Sequence, residues 1–151
     1  MVTELELFIE KSAIEADLIE VPGDTATVEQ AARSLNVSDD QIIKSLIFRC
    51  DEDFVVAVIG GHERVDTEKL SEVLECEDVE IASPEEVEKA TGFSVGNVPP
   101  VGYDVMKVVD EKVLENREVY GGGGDEEHMI RMDPRFILWE DDLVADIGGG
   151  S

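Results

Sequence analysis

Two short segments of this chain carry the residue types that bind phosphates and carbonyls, and one histidine adds a titratable group. Lys44 interrupts an apolar run, with Ile42 and Ile43 before it and Leu46, Ile47 and Phe48 after it. A lysine so placed either snorkels its ammonium to solvent from a strand edge or presents it to a phosphate. Between Thr91 and Gly102, glycines and prolines recur so densely that neither a helix nor a central strand can run through. Within that stretch, Gly96 and Pro100 bracket Asn97, Val98 and Pro99. Such a loop is stiff, and its backbone N–H groups are able to bind a carbonyl or a developing oxyanion with no catalytic side chain; the other reading is a plain surface connection. His128 opens a strand-like run, facing either a pocket or solvent.

Other chemistries lack their residues. His62 and His128 are the only histidines, neither has a cysteine nearby, and HExxH is absent, which argues against a zinc site. No DxDxDG loop exists for calcium. Ser45, Ser83 and Ser94 sit in no GxSxG elbow. Gly121 to Gly124 with Asp125 is not followed by Lys-Ser or Lys-Thr, so it reads as a flexible hairpin and not a phosphate loop. Neither metal nor cofactor is expected. Cys50 and Cys76 lie in no CxxC pattern and read as free, buried thiols.

The elements that must position these residues follow from spacing. Leu5, Phe8, Ile9 and Ala13 give Val2 to Ile14 a helical face, and a short strand follows over Leu18 to Val21 before a turn at Pro22-Gly23. Thr27 with Gln30, and Ser38 with Gln41, are capping-box patterns; the first opens a helix to about Leu35. Lys44 to Arg49 and Phe54 to Ile59 read as an antiparallel pair turning at Asp51-Glu52-Asp53. Asp66 caps a helix to Leu74, Val79 to Ala82 is strand-like, and Ser83-Pro84-Glu85-Glu86 opens a helix ending near Thr91-Gly92. Further strands are expected at Val105 to Val109, Glu118 to Tyr120, Met129 to Met132 and Leu143 to Ile147, with a short helix opened by Asp133-Pro134. The irregular alternation predicts a mixed α/β fold, a curved mixed sheet flanked by helices, in one domain over residues 1–151.

Acidity dominates the composition. The 151 residues include 37 Asp plus Glu against 12 Lys plus Arg, a formal net charge of −25, yet 42% are hydrophobic. That hydrophobic share does not fit a disordered chain, so the charge must lie on the outside of a core. Acids are scattered through every segment, resembling proteins from organisms with molar cytoplasmic salt, where a Debye length near 3 Å screens self-repulsion. The other reading is an acidic protein that avoids nucleic acid. No apolar run approaches the roughly 20 residues that span a bilayer, and the acidic start lacks a signal peptide's basic opening. A soluble, cytoplasmic protein is expected.

Taken in order, several segments resemble the YbaK/ProX family of aminoacyl-tRNA editing domains. They are Gln41-Ile42-Ile43-Lys44-Ser45-Leu46, Arg64-Val65-Asp66 with Lys69-Leu70, Gly92-Phe93, the GxxxP loop Gly96 to Pro100 with Gly102 beyond, Val119-Tyr120 with the glycine run, and Ile130 to Pro134. The resemblance implies hydrolysis of the ester joining a mischarged amino acid to the terminal adenosine of tRNA. It assigns Lys44 to the adenosine and its phosphate and the Gly96 backbone to the carbonyl side. Ser45, Asn97, Val98, Pro99, Pro100 and His128 then become substrate contacts. The implied protein is a free-standing trans-editing hydrolase working on the acceptor end of tRNA for proline carrying cysteine or alanine, with prolyl-tRNA synthetase a possible partner and neither DNA nor membrane involved. Two alternatives stay open: a binding module of the same fold that hydrolyses nothing, and a hydrolase of small aminoacyl esters.

Overall fold

The computed structural model describes residues 4–21 and 27–149. The turn expected at Pro22-Gly23 lies outside the described residues, as does the expected helix start at Val2.

The local start and stop signals act as chemistry dictates. The first helix, α1 (Glu4–Ser12), buries Leu5 and is followed by β1 (Ala16–Glu20). Thr27 opens α2 (Val28–Leu35) with a reciprocal capping box, Gln30 N–H to Thr27 Oγ1 and Thr27 N–H to Gln30 Oε1, each 3.1 Å. The Ser38/Gln41 box caps a single 3₁₀ turn, Asp39–Gln41, that feeds β2 (Ile43–Cys50). β2 returns as β3 (Asp53–Gly60) in the expected hairpin, with Lys44 opposite Ile59.

After the short strand β4 (Arg64–Val65), Asp66 caps α3 (Thr67–Leu74) by accepting from the Glu68 and Lys69 N–H groups. Then come β5 (Val79–Ile81) and α4 (Pro84–Thr91), the latter with Ser83 as cap and Pro84 in the first turn. The chain closes through β6 (Lys107–Asp110), β7 (Val119–Gly122), β8 (His128–Met132), a 3₁₀ turn at Pro134–Ile137, β9 (Leu143–Ala145) and β10 (Gly148–Gly149).

These strands make the expected mixed α/β fold. The main sheet runs β5-β2-β3-β6-β9, antiparallel from β5 to β3 and parallel from β3 to β9. A second, antiparallel sheet β1-β8-β7 joins it through a bridge between Ile42 and Tyr120, and β4 pairs with β10. β3 is central, and its run Val55 to Ile59 is wholly buried because apolar clusters cover both faces. Val56 and Val58 meet Ile43, Ile47, Val109 and Ile130, while Val55 and Ala57 meet Phe48, Leu70, Val108 and Ile147. A third cluster, Ala31, Ala32, Ile42, Tyr120 and Met129, docks α2 on the second sheet.

Two expectations are corrected. Cys50 and Cys76 are not free: they form a disulfide with Cα atoms 6.0 Å apart. Cys50 ends β2 where Val79 of β5 pairs with it, and Glu75 closes α3 in the left-handed conformation, which turns Cys76 back onto that strand end. The single strand expected over Leu143 to Ile147 is split, because Asp110 Oδ2 accepts the Ile147 N–H at 3.1 Å, leaving β10 to pair with β4 instead.

Candidate active site

Where β5 gives way to α4, β2 loses its neighbour on that side. The Ala82 N–H still donates to the Ile47 carbonyl at 2.9 Å, but the chain then turns at Ser83 into α4. Main-chain groups alternate sides along a strand, so Ser45 turns its N–H and C=O to the same side as Ile47, now uncovered. A cavity of about 740 Å³ opens there. Its walls are the first half of β2, the start of α2 at Thr27, Val28 and Ala31, the loop Val95 to Val98, and the β7–β8 connection through Asp125, Glu126 and His128.

Lys44, Ser45, Gly96, Asn97, Val98 and His128 all border this one cavity, although they come from three separate stretches of chain. Pro99 and Pro100 do not: they are buried behind the loop, Pro100 against Gly121, and the Pro99 carbonyl accepts the Tyr103 hydroxyl at 2.6 Å. Both prolines support the loop from behind. Gly96 is exposed with φ +89°, a conformation few side chains tolerate, and its N–H makes no hydrogen bond to a described residue. The Asn97 N–H is committed to the Ser94 carbonyl at 3.0 Å.

The glycine run is a seat for that loop. The Gly124 N–H donates to the Asn97 carbonyl at 3.0 Å, and a Cβ on Gly122 would fall 2.5 Å from the Val98 oxygen. On Gly123 it would fall 2.5 Å from the His128 carbonyl carbon. Absence of side chains here serves close approach of backbone to backbone, not flexibility.

Electrostatics set Lys44 apart. Arg49, Lys69, Lys107, Lys112, Arg131 and Arg135 each hold a carboxylate; Lys44 holds none among the described residues and, unlike Lys11, Arg33, Arg64, Lys89 and Arg117, which also hold none, it borders the cavity. Burial, then the Arg64 charge, pull the Lys44 pKa below the ordinary lysine range, partly opposed by Glu63. An ammonium so placed gains most from a bound anion. Ser45 Oγ is buried near the Tyr103 phenol, whose own proton goes to the Pro99 carbonyl, and it makes no well-formed hydrogen bond among the described residues.

His128 Nδ1 lies 2.8 Å from Asp125 Oδ1, and this hydrogen bond, against the pull of desolvation, raises the histidine pKa. Asp125, which the sequence shows only as the end of the glycine run, is thus the partner of His128; its signal was an acid three residues before a histidine within a turn. The α2 wall also went unseen, since a helix spacing says nothing about which distant loop it will face.

The profile of the aminoacyl-tRNA editing domain matches residues 22–137, most of the chain. The chain belongs to the aminoacyl-tRNA editing domain family. This bears out the resemblance drawn from the Lys44 strand and the GxxxP loop. Among curated proteins, the editing-domain chain is 34% identical over 128 residues to the proline–tRNA ligase of Thermosipho africanus and 32% identical over 116 residues to that of Streptococcus suis. It covers only 23% and 19% of those two proteins, while 81% and 75% of the chain is aligned. A crystal structure of a hypothetical protein superposes with a TM-score of 0.89 at 32% identity, over 97% of this chain and all of the other. Another, of a proposed trans-editing enzyme for prolyl tRNA synthetase, gives 0.88 at 30% identity, over 97% and 96%.

Proposed function

We propose that this editing domain is a trans-editing hydrolase that deacylates mischarged aminoacyl-tRNA, with tRNA for proline carrying cysteine or alanine as its substrate. One observation carries the reading: in a chain of this family, an unpaired lysine and an exposed, glycine-led loop border the same cavity. The ammonium suits the phosphate of the terminal adenosine, and the loop N–H groups suit the ester's developing oxyanion. An aminoacyl ester is already activated. Positioning worth roughly 7–11 kcal/mol and an oxyanion donor worth about 2.7–4 kcal/mol are large contributions to such a hydrolysis without a nucleophilic triad. The solved neighbours span nearly their whole chains in the superposition, which supports action as a separate protein.

The net charge of −25 points to a small footprint on the acceptor end and to work in a salt-rich cytoplasm. The test is a panel of tRNAs charged with cysteine, alanine and serine, compared with the same esters on adenosine. Release of amino acid from the charged tRNAs, faster than from adenosine esters, is expected. A protein inert on all three would refute the proposal, and equal rates on both forms would point to a small-ester hydrolase.

A further inference from the structure

We infer that a second cavity, walled by His62, Asp40, Glu115 and Asn116, takes the base of the nucleotide before the terminal adenosine, cytosine in the CCA end of tRNA; the inference rests on the function proposed above. This cavity holds about 330 Å³, within the range of small-ligand sites, and Gly61 is the residue it shares with the larger one. The Gly61 N–H donates to the Ile42 carbonyl at 2.8 Å, and Gly60, on the second wall, pairs across the sheet with Ile43, the residue before Lys44. Lys44 therefore stands where the two chambers meet. A phosphate on its ammonium has room for the terminal adenosine on one side and for the preceding nucleoside on the other, the order in which the acceptor strand presents them.

The walls suit a base and not a second phosphate. Asp39, Asp40, Glu63 and Glu115 all border the cavity, and its lysine, Lys112, is already held by Glu63 at 3.1 Å. Among the described residues no three acids and histidines are arranged to hold a metal ion. What such walls bind is N–H donors. The Asp40 and Glu115 carboxylates carry no hydrogen bond among the described residues, since Asp40 bonds only through its main chain. Cytosine offers an amine to carboxylates of this kind, and Lys112, with three donors and one carboxylate, has donors left for the ring nitrogen and carbonyl. Uracil carries a carbonyl in place of the amine and sets acceptor against acceptor.

His62 supplies a flat surface for stacking. Its side chain is half-exposed, yet its Nε2 lies 3.2 Å from Asp39 Oδ2 and 3.7 Å from Glu29 Oε1, so acids on the Asp39–Gln41 turn and on α2 steady the ring from two sides. Unpaired bases stack on rings of this type. Asn116 braces the far wall: its side-chain amide donates to the Asp40 carbonyl at 3.2 Å and to the Val113 carbonyl at 3.4 Å, tying the 3₁₀ turn Val113–Glu115 to the one at Asp39–Gln41.

The test compares alanine esterified to adenosine, to the dinucleotide CpA and to UpA, with kcat and KM measured on each. The CpA ester is expected to exceed the UpA ester by about 5–150-fold in kcat/KM, the worth of one well-read base, with the difference mostly in KM. His62→Ala is expected to lower kcat/KM on the CpA ester by about 5–150-fold, the worth of one stacked base, and so to narrow the gap between CpA and adenosine esters. Asp40→Asn combined with Glu115→Gln puts amide donors where uracil has its carbonyl and is expected to narrow the gap between CpA and UpA. Independently of turnover, a ¹H–¹⁵N NMR titration with unesterified CpA is expected to shift the His62 and Asn116 signals more than UpA does. Equal kcat/KM on the CpA and UpA esters, or CpA shifts confined to the larger cavity, overturns the inference and leaves the function standing. A protein inert on every ester whose His62 and Asn116 signals still move with CpA overturns the function and keeps the subsite; one that is inert and shows no such shifts overturns both.

Discussion

Replacing Gly122 with alanine tests whether the glycine run exists to seat the loop. The added Cβ would lie 2.5 Å from the Val98 oxygen and 3.0 Å from the Asn97 carbonyl, where ordinary contact begins at 3.4 Å. Something must give by about 1 Å. β7 is pinned, with Gly122 paired to Met129 and Tyr120 bridged to Ile42, whereas the loop is exposed at Val95 and Gly96. The loop is therefore expected to move, taking the N–H groups with it, and a misplacement of about 1 Å costs on the order of 10²-fold in rate. Overpacking of this kind costs about 1–3 kcal/mol, a fall of a few degrees per kcal/mol in melting temperature for a chain of this length. Single-turnover deacylation at saturating enzyme, beside a thermal melt, separates the two effects. A folded Gly122→Ala variant within threefold of the wild-type rate would refute the reasoning.

Lys44→Ala should lower kcat/KM on charged tRNA by roughly 10–150-fold, the worth of one charge-assisted hydrogen bond, and should matter less on an aminoacyl-adenosine that lacks the phosphate. Raising salt from 50 to 200 mM should reduce activity little or increase it, unlike the 10³–10⁵ affinity loss of a protein contacting 6–10 phosphates. Exchanging both Cys50 and Cys76 for serine opens a 26-residue loop, worth about 3.5 kcal/mol by chain entropy. Urea unfolding should register that loss while deacylation at 25 °C persists, since Cys50 lies six residues, roughly 20 Å, along β2 from Lys44. Lys107→Met strands Asp142 without its 2.9 Å partner where both side chains are 4% exposed, and chemical denaturation should show a loss of about 3–5 kcal/mol.

What could be read from the sequence was whatever is written within a few residues. Ser83-Pro84-Glu85-Glu86 specifies its own helix start, and the β2–β3 hairpin is visible because both strands and their turn are contiguous. Lys44 and the Gly96 loop stood out locally for the same reason. The disulfide did not, since 26 residues separate cysteines that only the β2–β5 register brings together. Likewise the glycines at 121–124 read as slack, because the loop pressing on them comes from another part of the chain. Asp110, which splits the last strand, acts across 37 residues.

The wall of the cavity formed by α2 rests on its own small cluster of Ala31, Ala32, Ile42, Tyr120 and Met129, apart from the two clusters that clasp β3. Capacity and stability are thereby assigned to different sets of side chains. Exchanging Ala31 or Val28 for larger or smaller residues resizes the chamber while the central sheet keeps its packing. The volume of the chamber is therefore free to change without a prior reserve of folding stability.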